Sequence, residues 1–183
     1  MKPLTLSGRL TINDVVDVAR YKRHVHIPDD ILMRVDTSRK TFMEILRAGE
    51  TIYGVTTGVG ALSEKMLSPS EIIDAQKRLV FSHSAGVGEC YPAECVRAAM
   101  LIRLNTLVKG LSGVRAKLVE FLSEMLNKDV VPAVPLRGSV GASGDLAQLA
   151  HIALVIMGEG YAYYSGKLYP GRKALEEAGL KPL

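Results

Sequence analysis

The sequence has no tryptophan, few aromatic residues (5%) and only two cysteines among its 183 residues. Cys90 and Cys95 are too few for a disulfide framework. A zinc site would need further ligands, and the nearest histidine along the chain is His83. We therefore predict reduced thiols and no metal site.

Long apolar runs and strong charge asymmetry are also missing. No segment approaches the ~20 apolar residues of a membrane span, and residues 1–9 lack the apolar region of a signal peptide. The net charge is only +4, and the basic clusters at 21–24 and 172–173 are too short for a nucleic-acid interface. With 48% hydrophobic residues, the sequence predicts a cytoplasmic protein with a packed core and neither membrane nor nucleic-acid partners.

Helical periodicity dominates the chain and predicts a mainly α fold. The expected helices are Thr11–Arg20, one or two from Pro28 closed by Gly49, Ser68 to about Ser84, Pro92–Lys109, Val114–Asn127, Asp145–Met157 and a short one at Ala174–Gly179. The helix Asp145–Met157 is apolar on nearly every face, which predicts burial on all sides. Weak strand signals lie at Thr51–Val55 and Tyr161–Tyr169.

Three glycine-rich loops interrupt the helices, at residues 53–60, 85–88 and 138–144. Glycine lets the backbone adopt positive φ and approach other groups closely. Loops on a rigid scaffold are also where functional residues concentrate. We therefore expect a functional site at these loops.

Residues 141–145, Gly-Ala-Ser-Gly-Asp, allow three interpretations. A glycine-rich loop before a helix can bind phosphate, although no P-loop lysine follows. A serine or aspartate cap opening the next helix is the simpler structural interpretation. The third is chemical: attack of the Gly144 nitrogen on the Ala142 carbonyl, with dehydration of Ser143, would form a five-membered ring bearing an electrophilic methylidene.

Longer segments support the chemical interpretation. Residues 138–147 (GSVGASGDLA) resemble the signature of the aromatic amino acid ammonia-lyases. Residues 52–60 (IYGVTTGVG) resemble that family's Tyr-Gly-x-Asn-Thr-Gly-Phe-Gly loop, with Thr56 and Val59 in place of Asn and Phe. Residues 105–115 (NTLVKGLSGVR) resemble its Asn-x-x-x-x-Gly-x-Ser-Gly segment. The chain is thus identified as a member of this family over essentially its whole length.

The resemblance implies both a cofactor and a fold. Ala142, Ser143 and Gly144 would form the 4-methylidene-imidazol-5-one (MIO) group, so no external cofactor is expected. The fold would be the N-terminal helical part of the fumarase/aspartase-like superfamily, with glycine-rich active-site loops. The implied reaction is non-oxidative elimination of ammonia from an aromatic L-amino acid.

Site roles also follow from the resemblance. Tyr53 would be the base that removes the substrate β-proton, while Ser82, Gly60 and Asp145 would support the catalytic groups. The pair Ser82-His83 is typical of histidine ammonia-lyases, which implies L-histidine as substrate, trans-urocanate as product and His83 as a substrate-binding residue. A tyrosine ammonia-lyase or an aminomutase is the alternative. From the residues alone, His83 is also compatible with a histidine that interacts with helix-end carbonyls, and His151 with a hydrogen-bonded core histidine.

Members of the family are much longer than 183 residues. The expectation is that residues 1–183 are the MIO-bearing N-terminal portion, without the C-terminal helical bundle and the remaining site residues. The site would be completed in a homotetramer, or by a second chain. A non-catalytic protein that keeps the fold for assembly or binding is a further alternative.

Overall fold

The computed structural model describes residues 1–141 and 146–183, and the fold is mainly helical. The helices are α1 (Ile12–Ala19), α2 (Asp29–Arg47), α3 (Pro69–His83), α4 (Ala93–Leu107), α5 (Ala116–Asn127), α6 (Leu146–Ile156) and α7 (Gly171–Glu177). The strands are β1 (Leu4–Thr5), β2 (Val25–His26), β3 (Val87–Cys90), β4 (Val131–Pro132), β5 (Pro135–Arg137), β6 (Tyr161–Tyr164) and β7 (Lys167–Pro170).

Residues 1–141 and 146–183 contain three small sheets between the helices. Strands β1 and β2 pair in parallel, β3 pairs antiparallel with β5, and β4, β6 and β7 form an antiparallel sheet in the order β4-β6-β7. The β3–β5 pair matters most for the candidate site, because β3 follows the 84–86 loop and β5 precedes the 138–141 loop. Pairing these strands brings two of the three glycine-rich loops together.

Capping boxes open helices α1 and α3. Thr11 and Asp14 form a complete capping box at α1: the Asp14 amide donates to Thr11 Oγ1 at 3.2 Å, and the Asp14 carboxylate accepts from the Thr11 amide at 3.0 Å. At α3 the Glu71 carboxylate accepts from the Ser68 amide at 2.9 Å and from the Ser68 hydroxyl at 2.6 Å. Hydrogen bonds from Ser68 accordingly lower the pKa of Glu71.

The core lies between α4 and its neighbours. Helix α4 packs against α1 and α5, α5 packs against α2, and α6 packs against α3 and α7. Fully buried apolar side chains at the centre come chiefly from α1, α2, α4 and α5: Val18, Val35, Met100, Leu101, Leu104, Val119 and Met125. Their removal from water supplies the main stabilisation of the fold, at about 25 cal/mol per Å² of apolar surface.

A buried arginine joins the ends of two helices. Only 2% of Arg97 is exposed. Its Nε and Nη2 donate to the Val18 carbonyl at 3.2 and 2.8 Å, and its Nη1 donates to the Leu126 carbonyl at 3.0 Å and to Asp129 at 2.8 Å. Val18 and Leu126 lie in the last turns of α1 and α5, where carbonyls lack partners within their own helix. Arg97, on α4, therefore caps both neighbours, and its charge faces the negative ends of their dipoles.

The fold contradicts some of the sequence-based predictions and confirms others. The region Thr51–Val55 is not a strand but the start of a hydrogen-bonded turn, because side-chain hydroxyls bond its backbone locally. The region Tyr161–Tyr169 does form strands, as the β6–β7 hairpin. The expectation that the helix before Met157 is buried on all sides is wrong at its first turn, since Leu146 is 46% exposed. The segment from Pro28 is one helix.

No helix in the described ranges is long and apolar enough to cross a membrane. The longest helix in these ranges, α2, has 19 residues, and charged residues lie between its apolar ones.

We expect Arg97→Met to lower the free energy of unfolding by about 3 kcal/mol or more, because it leaves helix-end carbonyls and Asp129 without their buried partner. Arg20→Met is the matched control, since Arg20 pairs with Glu94 at the exposed surface and such pairs contribute about 0–1 kcal/mol. Urea unfolding of both variants makes the comparison. Equal losses would contradict the role assigned to Arg97.

Candidate active site

The loop that carries Tyr53 is held in shape by two buried threonines. The Ile52 amide donates to Thr56 Oγ1 at 2.8 Å, and the Gly54 amide donates to Thr57 Oγ1 at 3.1 Å. The Thr57 hydroxyl in turn donates to the Gly58 carbonyl at 2.8 Å. Thr56 thus closes the turn from the position where the family motif has Asn.

Gly58 permits the next, tighter part of this loop. A Cβ at Gly58 would collide with the Leu62 carbonyl oxygen and lie 2.7 Å from the Leu62 Cβ, so no side chain fits there. The chain then forms a single 3₁₀ turn, Gly60–Leu62, with Gly60 at φ +56°. This turn aims the Gly60 amide back towards the preceding loop.

The phenol oxygen of Tyr53 accepts a hydrogen bond from that amide. Gly60 N–H donates to Tyr53 Oη at 3.0 Å, although the tyrosine is 65% exposed overall. The hydrogen bond fixes the position of an otherwise solvent-facing phenol. It also presents a backbone donor to the oxygen on which negative charge resides when the proton is lost.

Helix α3 connects this loop to His83. Near the helix middle, the Gln76 side-chain amide donates to the Gly54 carbonyl at 2.7 Å. His83 is the last residue of α3, seven positions further along, which corresponds to about 10 Å of helix. Tyr53 and His83 are therefore held by the same helix, and within the described ranges no hydrogen bond joins the two side chains directly.

The ring of His83 is oriented by its own helix. Its Nδ1 lies 2.8 Å from the Leu79 carbonyl oxygen and 3.1 Å from Ser82 Oγ. A carbonyl can only accept, so Nδ1 carries the proton and Nε2 is the acceptor of the neutral ring. Ser82 is exposed and donates to the same Leu79 carbonyl at 3.0 Å. The helix-end interaction considered from the sequence is therefore real, and it leaves Nε2 for another partner.

The second and third glycine-rich loops meet at a backbone junction. The Gly86 amide donates to His151 Nε2 at 3.1 Å, and a Cβ at Gly86 would lie only 2.9 Å from that nitrogen. On the other side, a Cβ at Gly138 would lie 2.9 Å from the Gly86 Cα and 3.2 Å from the Ala147 Cβ. We call Gly86, Gly138, Ala147 and His151 the glycine junction.

Ala142, Ser143, Gly144 and Asp145 lie outside the described residues. Their described flanks are Gly141, with φ +70° and its amide donating to Ser139 Oγ at 3.1 Å, and Leu146, where α6 begins. The segments before and after the tripeptide both contribute to the glycine junction: Gly138 lies before the tripeptide and Ala147 after it. The Ala-Ser-Gly sequence itself has the atoms that an MIO ring requires, so the residues present fit that group.

Four residues of this region were not identified as site residues from the sequence: Thr56, Thr57, Gln76 and His151. The prediction of a hydrogen-bonded core histidine at position 151 is confirmed for the hydrogen bond but not for the burial: the ring is half-buried, and its partner is the amide of a remote loop. Nothing in local periodicity indicates that pairing. The two threonines could have been found, because hydroxyl residues in a glycine-rich turn commonly bond the backbone.

Comparison with known proteins gives the family. The model of the family described as aromatic amino acid lyase matches residues 10–183. The chain belongs to this family. A histidine ammonia-lyase of Treponema denticola is 49% identical over the whole chain, which spans 36% of that relative.

Solved structures agree with the mainly α ammonia-lyase fold. An ergothionase from Treponema denticola, described as an ergothioneine-degrading enzyme, superposes with a TM-score of 0.95 at 36% identity, covering 100% of this chain and 37% of that one. A tyrosine aminomutase from Streptomyces globisporus superposes with a TM-score of 0.91 at 38% identity, covering 99% and 34%. The chain thus spans about a third of the length of the proteins it matches.

Burial lowers the pKa of His151 below the ordinary imidazole value of 6.5. The unfolded chain then takes up a proton at a higher pH than the folded chain. This group should therefore leave the free energy of unfolding unchanged above about pH 6.5. The free energy of unfolding should fall as the pH drops below that value.

Urea unfolding between about pH 8 and about pH 5 measures this dependence. In His151→Gln the titrating group is gone, so we expect a weaker fall in stability at acidic pH. The same pH dependence in both proteins would show that His151 is not responsible.

Proposed function

We propose that this chain is the MIO-bearing N-terminal portion of an ammonia-lyase that converts L-histidine to trans-urocanate and ammonia. The observation that carries the proposal is the 49% identity to a histidine ammonia-lyase along the whole chain, together with intact Ala142-Ser143-Gly144, Tyr53 and His83. Residues beyond those of this chain complete the site, in a homotetramer or through a second polypeptide.

A ring formed from Ala142, Ser143 and Gly144 would supply an electrophile that ordinary side chains lack. Formation of that ring releases two molecules of water. Asp145 follows it directly and would support the ring at the start of α6.

Tyr53 would hold and move the proton. The substrate β-proton is weakly acidic, so the accepting oxygen must bear negative charge in an environment that stabilises it. The Gly60 amide, 3.0 Å from Tyr53 Oη, supplies a fixed donor for that charge. Exposure of the phenol on this face leaves room for a substrate to approach it.

His83 would recognise the substrate ring. Because Nδ1 is bonded to the Leu79 carbonyl, Nε2 can accept a hydrogen bond from an imidazole N–H. An imidazole substrate has one such donor in its neutral form. A phenol hydroxyl can also donate to this nitrogen, so the preference for histidine over tyrosine rests on the 49% identity to a histidine ammonia-lyase. The likeness to a tyrosine aminomutase supports β-tyrosine formation as the second candidate activity.

Intact mass and product analysis test the proposal on the protein isolated from its source, with any complexes preserved. We expect a mass below the sequence value by two waters for the polypeptide that contains this chain, and urocanate from L-histidine. p-Coumarate or β-tyrosine from L-tyrosine, without urocanate, would overturn the histidine assignment. A full sequence mass with no product from either amino acid would support the non-catalytic alternative.

Tyr53→Phe is expected to lower kcat by about 10²–10⁴ and to keep the two-water mass deficit, because Tyr53 acts on substrate and not on ring formation. Tyr21→Phe is the matched control, since this exposed tyrosine lies on the segment after α1. Near-normal turnover in Tyr53→Phe would exclude Tyr53 as the base.

A further inference from the structure

The glycine junction is where the loop after His83 meets both flanks of the Ala-Ser-Gly tripeptide. Gly86 lies three residues after His83, and Gly138 lies between β5 and the segment that leads to the Ala-Ser-Gly tripeptide. Ala147 and His151 lie on α6, which begins at Leu146, two residues after the tripeptide. A displacement here would change the position of His83 relative to α6.

Within the described part of the chain, a single hydrogen bond at this junction joins the His83 side to α6. It runs from the Gly86 amide to His151 Nε2 at 3.1 Å. The other close approaches there involve backbone and apolar groups: an added Cβ at Gly86 would also meet Pro135, and one at Gly138 would meet Gly86 and Ala147. Such contacts limit how closely the backbones approach but give little direction, whereas a hydrogen bond prefers a defined angle as well as a distance.

The chemistry of His151 suits this role. The Gly86 amide is a donor, so its partner must be an acceptor, and a half-buried neutral imidazole offers a single acceptor nitrogen at a fixed distance from its backbone. The ring also reaches a backbone amide that a shorter side chain on α6 would not reach. The absence of a Cβ on Gly86 is what allows the approach, because that Cβ would lie 2.9 Å from Nε2.

We propose that His151 is a positioning residue of the active site, which through the Gly86 amide sets the place of His83 relative to the helix that follows the Ala-Ser-Gly tripeptide. The role in catalysis rests on the function proposed above. His151 lies five residues into α6, about 8 Å along the helix axis. It acts through Gly86 and α6 and is not itself assigned contact with substrate.

A merely structural role makes a different prediction. If His151 only fills space in the packing of α6, then any substitution of similar size that weakens this packing should have the same consequences. Ile152 is the adjacent buried residue on the same helix, so Ile152→Val removes packing from α6 without touching the hydrogen bond.

The test compares three variants of the complete protein: His151→Gln, which keeps an acceptor near the position of Nε2, His151→Leu, which removes it, and Ile152→Val. The first readout is amide hydrogen exchange at Gly86. We expect exchange about tenfold faster in His151→Leu, the effect of one lost hydrogen bond. Near-wild-type exchange is expected in His151→Gln and Ile152→Val.

The second readout is kinetic. In His151→Leu we expect a raised KM for L-histidine and a reduced kcat, with recovery of both towards wild type in His151→Gln. Unchanged Gly86 exchange in His151→Leu, or equal changes in Ile152→Val, would overturn the proposal. So would a Gly86 amide that is released in His151→Leu with no change in KM or kcat.

The outcomes separate this inference from the proposed function. The intact mass of each variant reports ring formation, and Gly86 exchange reports the hydrogen bond, both without any assay of turnover. If the wild-type protein has the two-water deficit but releases no ammonia from L-histidine, the histidine assignment fails. The Gly86 exchange of His151→Leu then still decides whether His151 holds the loop after His83, and unaltered exchange would refute it.

Discussion

Burying the guanidinium of Arg97 obliges the chain to surround it with acceptors, and those acceptors are the ends of two helices. The carbonyls of Val18 and Leu126 and the carboxylate of Asp129 together accept four hydrogen bonds from this one side chain. Because a buried charge without partners is so unfavourable, α1 and α5 cannot move away from α4 independently. The apolar core packs around helices whose ends are joined through this one side chain.

The candidate site lies where that core ends. Helix α3 has no buried side chain among the positions whose burial is described. It is held by its packing on α6 and by the bond from Gln76 to the Tyr53 loop. Apolar residues on this side are exposed, including Ile73, Phe81 and Val87. Hydrogen bonds with defined directions therefore carry more of the positioning here than core packing does.

Small residues make the site compact. At Gly58 and at the glycine junction, a single added carbon would collide with backbone or side-chain atoms. Close backbone approach lets amides serve as donors to side chains: Gly60 to Tyr53 and Gly86 to His151. The same glycines thus explain both why the loops fold tightly and why the side chains of Tyr53 and His151 can be held by backbone amides.

The sequence by itself determined the helical class, most helix boundaries, the capping boxes at Thr11 and Ser68, and the family. These properties follow from local periodicity, from residues three positions apart, or from contiguous motifs. The partners of Arg97 and His151 and the β3–β5 pairing were decided only by tertiary structure. The turn in place of a strand at residues 51–55 is local, because the Thr56 and Thr57 hydroxyls bond the backbone nearby. Arg97 and Val18, or Gly86 and His151, are separated by tens of residues, and no local pattern encodes which backbone group a distant side chain will meet. The physical reason is that buried donors and acceptors are satisfied only after the helices have packed.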